Sequence, residues 1–275
     1  MRNPFPKIGK VIKYDLKHSS KKLIPLYGVL LMLGLLTGLF ISPNRAEQIF
    51  EGTYLGYRDF ITVSLVFAYS IFTCIAFVMT IVAIARRFKQ SMLEEEAYLN
   101  LSLPVTMGEH LWGKFITSFI WVFCCCIVTF VSALLCLIRM DFAQIIKSIF
   151  DEMPAISSEL AKYNLSIAKL FWLGFMVCFA ITCFVITLIF VVNSFALVIK
   201  SRRSFWKVLI IVGLFYINGW IFRLVPNINP NNVTDYAFGG AIFKFLGIYS
   251  LVLVLISAAY FAVTQYLFTK KLNLD

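Results

Sequence analysis

The sequence predicts an all-α membrane protein with six transmembrane helices, and three observations carry that prediction. Of 275 residues, 60% are hydrophobic and 14% charged, where a soluble domain of this size carries roughly 25% charged residues. Six apolar runs come close to or exceed the roughly 20 residues that a helix needs to cross a bilayer: 23–41, 60–85, 111–138, 168–199, 205–225 and 240–268. None of them shows the alternation of a strand, and in hydrocarbon only helices and closed barrels satisfy every backbone group. A mean hydropathy of +0.86 and 28 phenylalanines suit lipid-facing surface better than a compact aqueous core.

Residues 1–22 precede the first run. They are basic and carry Pro4 and Pro6. Ile8, Val11, Ile12 and Leu16 fall near one helical face, with Lys10, Lys13 and Lys17 elsewhere. That pattern predicts a short amphipathic helix on the inner leaflet, an arm separate from one membrane domain over 23–275. The run 23–41 exceeds a signal-peptide core of about 7–15 residues, and no Ala-x-Ala-like site follows it. It reads as a retained span.

Lysine and arginine set the expected orientation. With both termini on one side, that side carries 17 of the 25 basic residues and the other side eight. The positive-inside rule then predicts both termini in the cytoplasm. The net charge of +11 is thereby topology and interfacial anchoring, and nucleic acid is not an expected partner. The seven cysteines all fall in apolar runs, so no disulfide framework is implied. Consecutive helical residues point about 100° apart, so Cys124, Cys125 and Cys126 cannot converge on one metal.

On the opposite side the longest connection is 139–167. Within it, Pro154 reads as a helix start, and Ile156, Leu160 and Tyr163 share a face. A small helix against the outer surface is expected. The connection 226–239 is rich in Pro, Asn and Gly and reads as turn. The fourth run has about 32 residues, or ~48 Å of helix against ~30 Å of hydrocarbon, so it tilts, kinks or protrudes.

The connection between the second and third runs carries most of the information. It reads RRFKQSMLEEEAYLNLSLPVTMGEHLWGK from Arg86 to Lys114. Arg86, Arg87 and Lys89 suit a helix C-terminus. Ser91 and Glu94 match a capping box, and Glu95 and Glu96 add negative charge to the same first turn, where the helix dipole favours it. A short helix over 91–100 is predicted. Pro104 disfavours helix at Leu103, and Thr106 with Glu109 forms a second capping box that opens the third span. Plain capping with a solvated acidic face accounts for the same glutamates. Gly108 to Lys114 matches GxxxxGK, but Phe115 stands where a phosphate loop needs Ser or Thr and no strand precedes it.

No Asp or Glu falls inside the six runs, whereas ion- and proton-coupled carriers place such groups in the membrane. His18 and His110 sit at the inner edge and read as surface polarity. The chain offers no HExxH or GxSxG pattern, and it is not expected to be an enzyme. Thr73, Thr80, Asn193, Ser194, Asn218, Ser257, Thr264 and Gln265 are the mild polar groups of the spans, most of them expected to hydrogen-bond between helices. Asn193 and Asn218 are the candidates to line a substrate pathway. Energy for any transport would come from a cytosolic partner docked on the acidic helix.

Six spans, a basic N-terminal arm and the run EEEAYLNLSLPVTMGEHLWGK resemble the transmembrane subunits of ABC-2-type transporters, in a bacterial exporter-like branch. The matching residues are Glu94–Glu96, Leu101–Pro104 and Lys114. The resemblance implies a multi-pass permease of the bacterial cytoplasmic membrane. Helix 91–100 would be its coupling helix, presenting Glu94, Glu95, Glu96, Tyr98 and Leu99 to a groove of a separate ABC ATPase and capped by Ser91. It implies a second permease subunit, as homodimer or heterodimer, with ATP and Mg²⁺ on the ATPase and no cofactor in this chain. Export of a hydrophobic or amphipathic molecule, such as a peptide, drug or lipid, is the expected activity. A membrane anchor or sensor that recruits a cytosolic protein through the same helix is the alternative.

Overall fold

The computed structural model describes residues 5–41, 56–93, 106–139, 142–163, 165–198, 203–223 and 235–270. They form seven helices: α1 (Phe5–Phe40), α2 (Tyr57–Leu93), α3 (Met107–Cys136), α4 (Phe142–Lys162), α5 (Ile167–Val198), α6 (Arg203–Arg223) and α7 (Asp235–Lys270). Six of them contain stretches long and apolar enough to cross a membrane: Ile8–Phe40, Phe60–Met92, Met107–Cys136, Ile167–Phe195, Phe205–Arg223 and Gly240–Lys270. Among the described residues the protein is all-helical, with six helices of membrane-spanning type. The odd one out, α4, lies between the third and fourth spans.

Three boundaries differ from the sequence reading. The N-terminal arm is not a separate helix. It is continuous with the first span in α1, whose 36 residues make a rod of about 54 Å. The reason is a buried stripe at four- and three-residue spacing, Asp15, Ser19, Leu23, Tyr27 and Leu30, which runs unbroken past Pro25. Proline inside a spanning helix is tolerated where neighbouring helices support it. Second, α2 continues beyond 85 to Leu93. Third, α4 begins at Phe142 rather than near Pro154, which lies inside it.

The helices assemble into two compact units. The first comprises Gly9–Arg87 and Ile116–Asp151. The second draws on the described residues of Phe88–Phe115 and Glu152–Asp275, with the N-terminal residues up to Ile8.

In the first unit the C-terminal half of α1 meets the C-terminal end of α3. Gly34 and Gly38 let the backbones touch: a Cβ at Gly34 would stand 2.7 Å from the Ser132 carbonyl oxygen, and one at Gly38 only 2.1 Å from that of Leu135. This is the small-xxx-small contact of membrane helices. The Ser132 hydroxyl donates to the Leu30 carbonyl at 3.0 Å, and Arg139 Nη1 donates to the last carbonyls of α1 at Leu39, 2.6 Å away. Deeper in the unit, the Tyr27 hydroxyl bonds Thr80 Oγ1 of α2 at 3.0 Å. Thr80 in turn donates to the Ala76 carbonyl, so the pair is satisfied when Tyr27 is the donor. The Tyr27 ring lies 6.3 Å from that of Trp121 on α3.

In the second unit α5 pairs extensively with α7 and less so with α6. Phe88, in the last turns of α2, stacks on Phe190 of α5 at 4.2 Å between centroids and meets Phe268 of α7 edge-on at 6.1 Å. All three are buried. Phe222 of α6 stacks on Tyr249 of α7 at 4.3 Å.

The mild polar residues of the spans mostly serve their own helix. Thr73, Ser194, Ser257 and Thr264 each donate to the carbonyl four residues back, at 2.7–2.9 Å. With no water in hydrocarbon, the nearest acceptor is the preceding turn. Thr80, Asn193 and Asn218 are the ones seen to reach another helix. The cysteine trio behaves as its spacing requires: Cys125 is buried, Cys124 half-buried and Cys126 exposed.

Candidate functional site

The candidate site lies at the C-terminal end of α2 and the N-terminal start of α3. The α2 end is held by its buried residues. Phe88 and Met92 are almost fully buried, four residues apart and so on one face. Ser91 is buried too. It stands within the last turns of α2, and its hydroxyl points back to the Phe88 carbonyl at 3.4 Å. The chain is helical through Leu93, with Phe88 and Met92 on its buried face.

At the other edge the capping box forms as its spacing requires. The Thr106 N–H donates to Glu109 Oε2 at 2.8 Å, and the Glu109 N–H donates to Thr106 Oγ1 at 3.4 Å. α3 starts immediately after, at Met107. The residues of the GxxxxGK match are helical from Gly108 to Lys114, so they make no phosphate loop. The first turns of α3 are anchored by rings: Trp112 lies 4.8 Å and Phe115 6.0 Å from Phe261 of α7. His110 is 2% exposed, which corrects its reading as surface polarity. Lys114 is also buried.

Glu94, Glu95, Glu96, Tyr98 and Leu99, and with them helix 91–100 beyond Leu93, lie outside the described residues. What the structure fixes is the frame: twelve residues, 94–105, strung between an anchored end of α2 and a capped start of α3.

About two turns back along α2 from this frame is a charge pair that the sequence reading missed. Arg87 Nε and Nη2 both reach Asp15 Oδ1 of α1, at 2.9 and 2.8 Å. The side chains are 14% and 3% exposed. Asp15 lies eight residues before the first apolar run, on the same continuous helix and within the stretch Ile8–Phe40. The available signal was its isolation: one acid among seven basic residues in 1–22, placed four residues from Ser19 and eight from Leu23 on one face.

The two asparagines proposed to line a pathway do not share a site. Asn193 Nδ2 donates to the Ile189 carbonyl at 2.9 Å, and its Oδ1 accepts from Lys207 Nζ at 2.8 Å. Asn218 Oδ1 accepts from the Tyr260 hydroxyl at 2.9 Å. Lys207 and Asn218 are eleven residues apart on α6, or about 16 Å along its axis. Both asparagines are buried, one at each level of the second unit. Asn218 Nδ2 has no hydrogen-bond partner among the described residues.

Compared with known proteins, the chain matches no family model, no curated protein and no solved structure.

Proposed function

We propose that this chain is the permease subunit of an ATP-driven exporter in a bacterial cytoplasmic membrane, working with a second permease subunit and a separate ATPase that holds ATP and Mg²⁺. The observation that carries the reading is the frame around residues 94–105. Three consecutive glutamates occupy a twelve-residue segment whose two ends are fixed to helices, on the side of the basic-rich termini. A cytosolic protein that grips such a segment moves α2 and α3 together. Arg87 would carry the displacement to α1 through Asp15, and Phe88 would carry it to α5 and α7 through Phe190 and Phe268. The work is done by rigid elements with side chains already packed, so little of the stroke is absorbed locally.

A hydrophobic or amphipathic cargo fits the spans, whose exposed surface is apolar and aromatic over α2, α3, α5 and α6. Asn193 and Asn218 are the polar positions such a cargo would meet at two depths. No step of ATP chemistry is assigned to this chain.

The test is isolation of the chain with its native partners, followed by replacement of Glu94, Glu95 and Glu96 with alanine together. The expected outcome is an ATPase that co-purifies with the wild type and is lost, with transport, in the triple variant. Retained pairing and transport in that variant would defeat the role given to the acidic segment. A cytosolic partner without ATPase activity would favour a recruiting anchor instead.

A further inference from the structure

α4 is a 21-residue helix, about 31 Å long, with an exposed apolar side. Ile146, Phe150, Met153 and Ile156 are 40, 64, 38 and 46% exposed. With Leu160 they fall within roughly 120° of the helix circumference at 100° per residue. Lys147, Asp151, Ser158, Glu159 and Lys162 take the opposite side, where Glu159 and Lys162 pair.

The chain dictates what covers this stripe. α4 joins the third and fourth of six spans, so it lies on the side of the bilayer opposite the two termini. Its C-terminal end passes into α5 through four residues. The Tyr163 and Leu165 N–H groups return to the Leu160 carbonyl at 3.1 and 3.0 Å, and Ser166 Oγ accepts from the Lys169 N–H at 3.3 Å to open α5. At the other end five residues, 137–141, separate α4 from α3, a reach of about 20 Å when extended. Both ends are therefore tied to the points where spans leave the bilayer. The polar side carries two lysines against three acids, Asp151, Glu152 and Glu159. Most free amphipathic helices find a membrane through a cationic face. A tethered helix needs none, and this near-balanced charge fits neither a strongly charged protein partner nor a requirement for anionic lipid.

We propose that α4 is a membrane-docked helix whose Ile146–Leu160 stripe lies in the lipid interface, its polar side turned to the aqueous phase. This rests on the six spans and not on the transport reading. Exposed apolar and aromatic side chains also stand on the flanking spans, Phe130 on α3 and Phe171 and Trp172 on α5.

The test uses the full-length chain in vesicles of palmitoyl-oleoyl phosphatidylcholine, with the photoreactive residue p-benzoylphenylalanine at Phe150, Ile156, Lys147 or Ser158 in turn. After irradiation, mass spectrometry is expected to find phosphatidylcholine adducts several-fold enriched at positions 150 and 156 over 147 and 158. Replacing phosphatidylcholine by phosphatidylglycerol is expected to leave that ratio unchanged. Equal adduct yields on the two sides would overturn the proposal, as would crosslinks from 150 or 156 to a second copy of the chain in place of lipid. Enrichment seen in phosphatidylglycerol vesicles alone would overturn the claim that the stripe docks without charge attraction.

Discussion

Asp15 shows how a single residue escapes a sequence reading built on runs. Averaged with its basic neighbours it is a minor charge. Folded, it is a buried acceptor for two nitrogens of Arg87, 72 positions away. Nothing local in the sequence names that partner, because the pairing depends on how α1 and α2 lie side by side. A buried ion pair is weak grounds for stability but strong grounds for sensitivity. Removing one partner strands a desolvated charge, at a cost of about 3–5 kcal/mol, whereas replacing both with apolar groups is often close to neutral. Asp15→Asn and Arg87→Gln singly are therefore expected to lower thermal stability in detergent far more than the paired change Asp15→Leu with Arg87→Met. Single and double variants of equal stability would show that the pair is solvated and uncoupled. His110 makes the related point that a polar residue at a helix start, read as surface from its position, is buried by its fold partners.

At the scale of the helix, periodicity and length were readable, and crossings were not. Six spans are visible as six apolar runs because hydrocarbon leaves few alternatives to helix. The Thr106–Glu109 cap was equally legible, since its two bonds close within four residues. Ser91, where the sequence predicts the start of helix 91–100, falls within α2. The burial of Phe88, Ser91 and Met92 was not legible in the sequence, because burial is a tertiary fact. The crossing of α1 on α3 is a further case. Gly34-Leu-Leu-Thr-Gly38 carries the spacing for close approach, but glycine is frequent in spans and the spacing does not say which helix comes near. The structure does, and it makes Gly38 testable against a control on the same helix. Gly28 has open space beside it. Gly28→Ala is expected to be neutral or mildly stabilising, by up to about 1 kcal/mol of helix propensity. Gly38→Ala must push backbone from backbone, with a loss of about 1–3 kcal/mol. A shift of the same sign and size for both in thermal unfolding would refute the close crossing.

Across the whole molecule the parity of the spans is the organising fact. Six crossings would return the C-terminus to the side of the N-terminus, with residues 94–105 on that side and α4 on the other. The positive-inside count then proposes which side is cytosolic, a step that rests on charge and not on the helices. The resemblance drawn from the run at Glu94–Lys114 concerns a segment outside the described residues, so the fold neither adds to nor subtracts from it. What the fold supplies is two fixed helix ends beside that segment and two sets of contacts leading away from α2.

The continuity of α1 has a consequence for digestion. Lys10, Lys13, Lys17, Lys21 and Lys22 are exposed and would each invite trypsin if they sat on a loose leader. A protease must draw a substrate into extended form, and exposed loop tips are where nicking concentrates. Here the five lysines are rungs of a rod whose other end is held in the bilayer, so the native chain should resist cleavage at all of them while a heat-denatured sample is cut freely. Rapid trimming of the folded protein at Lys13 or Lys17 would mean that the rod is a leader after all.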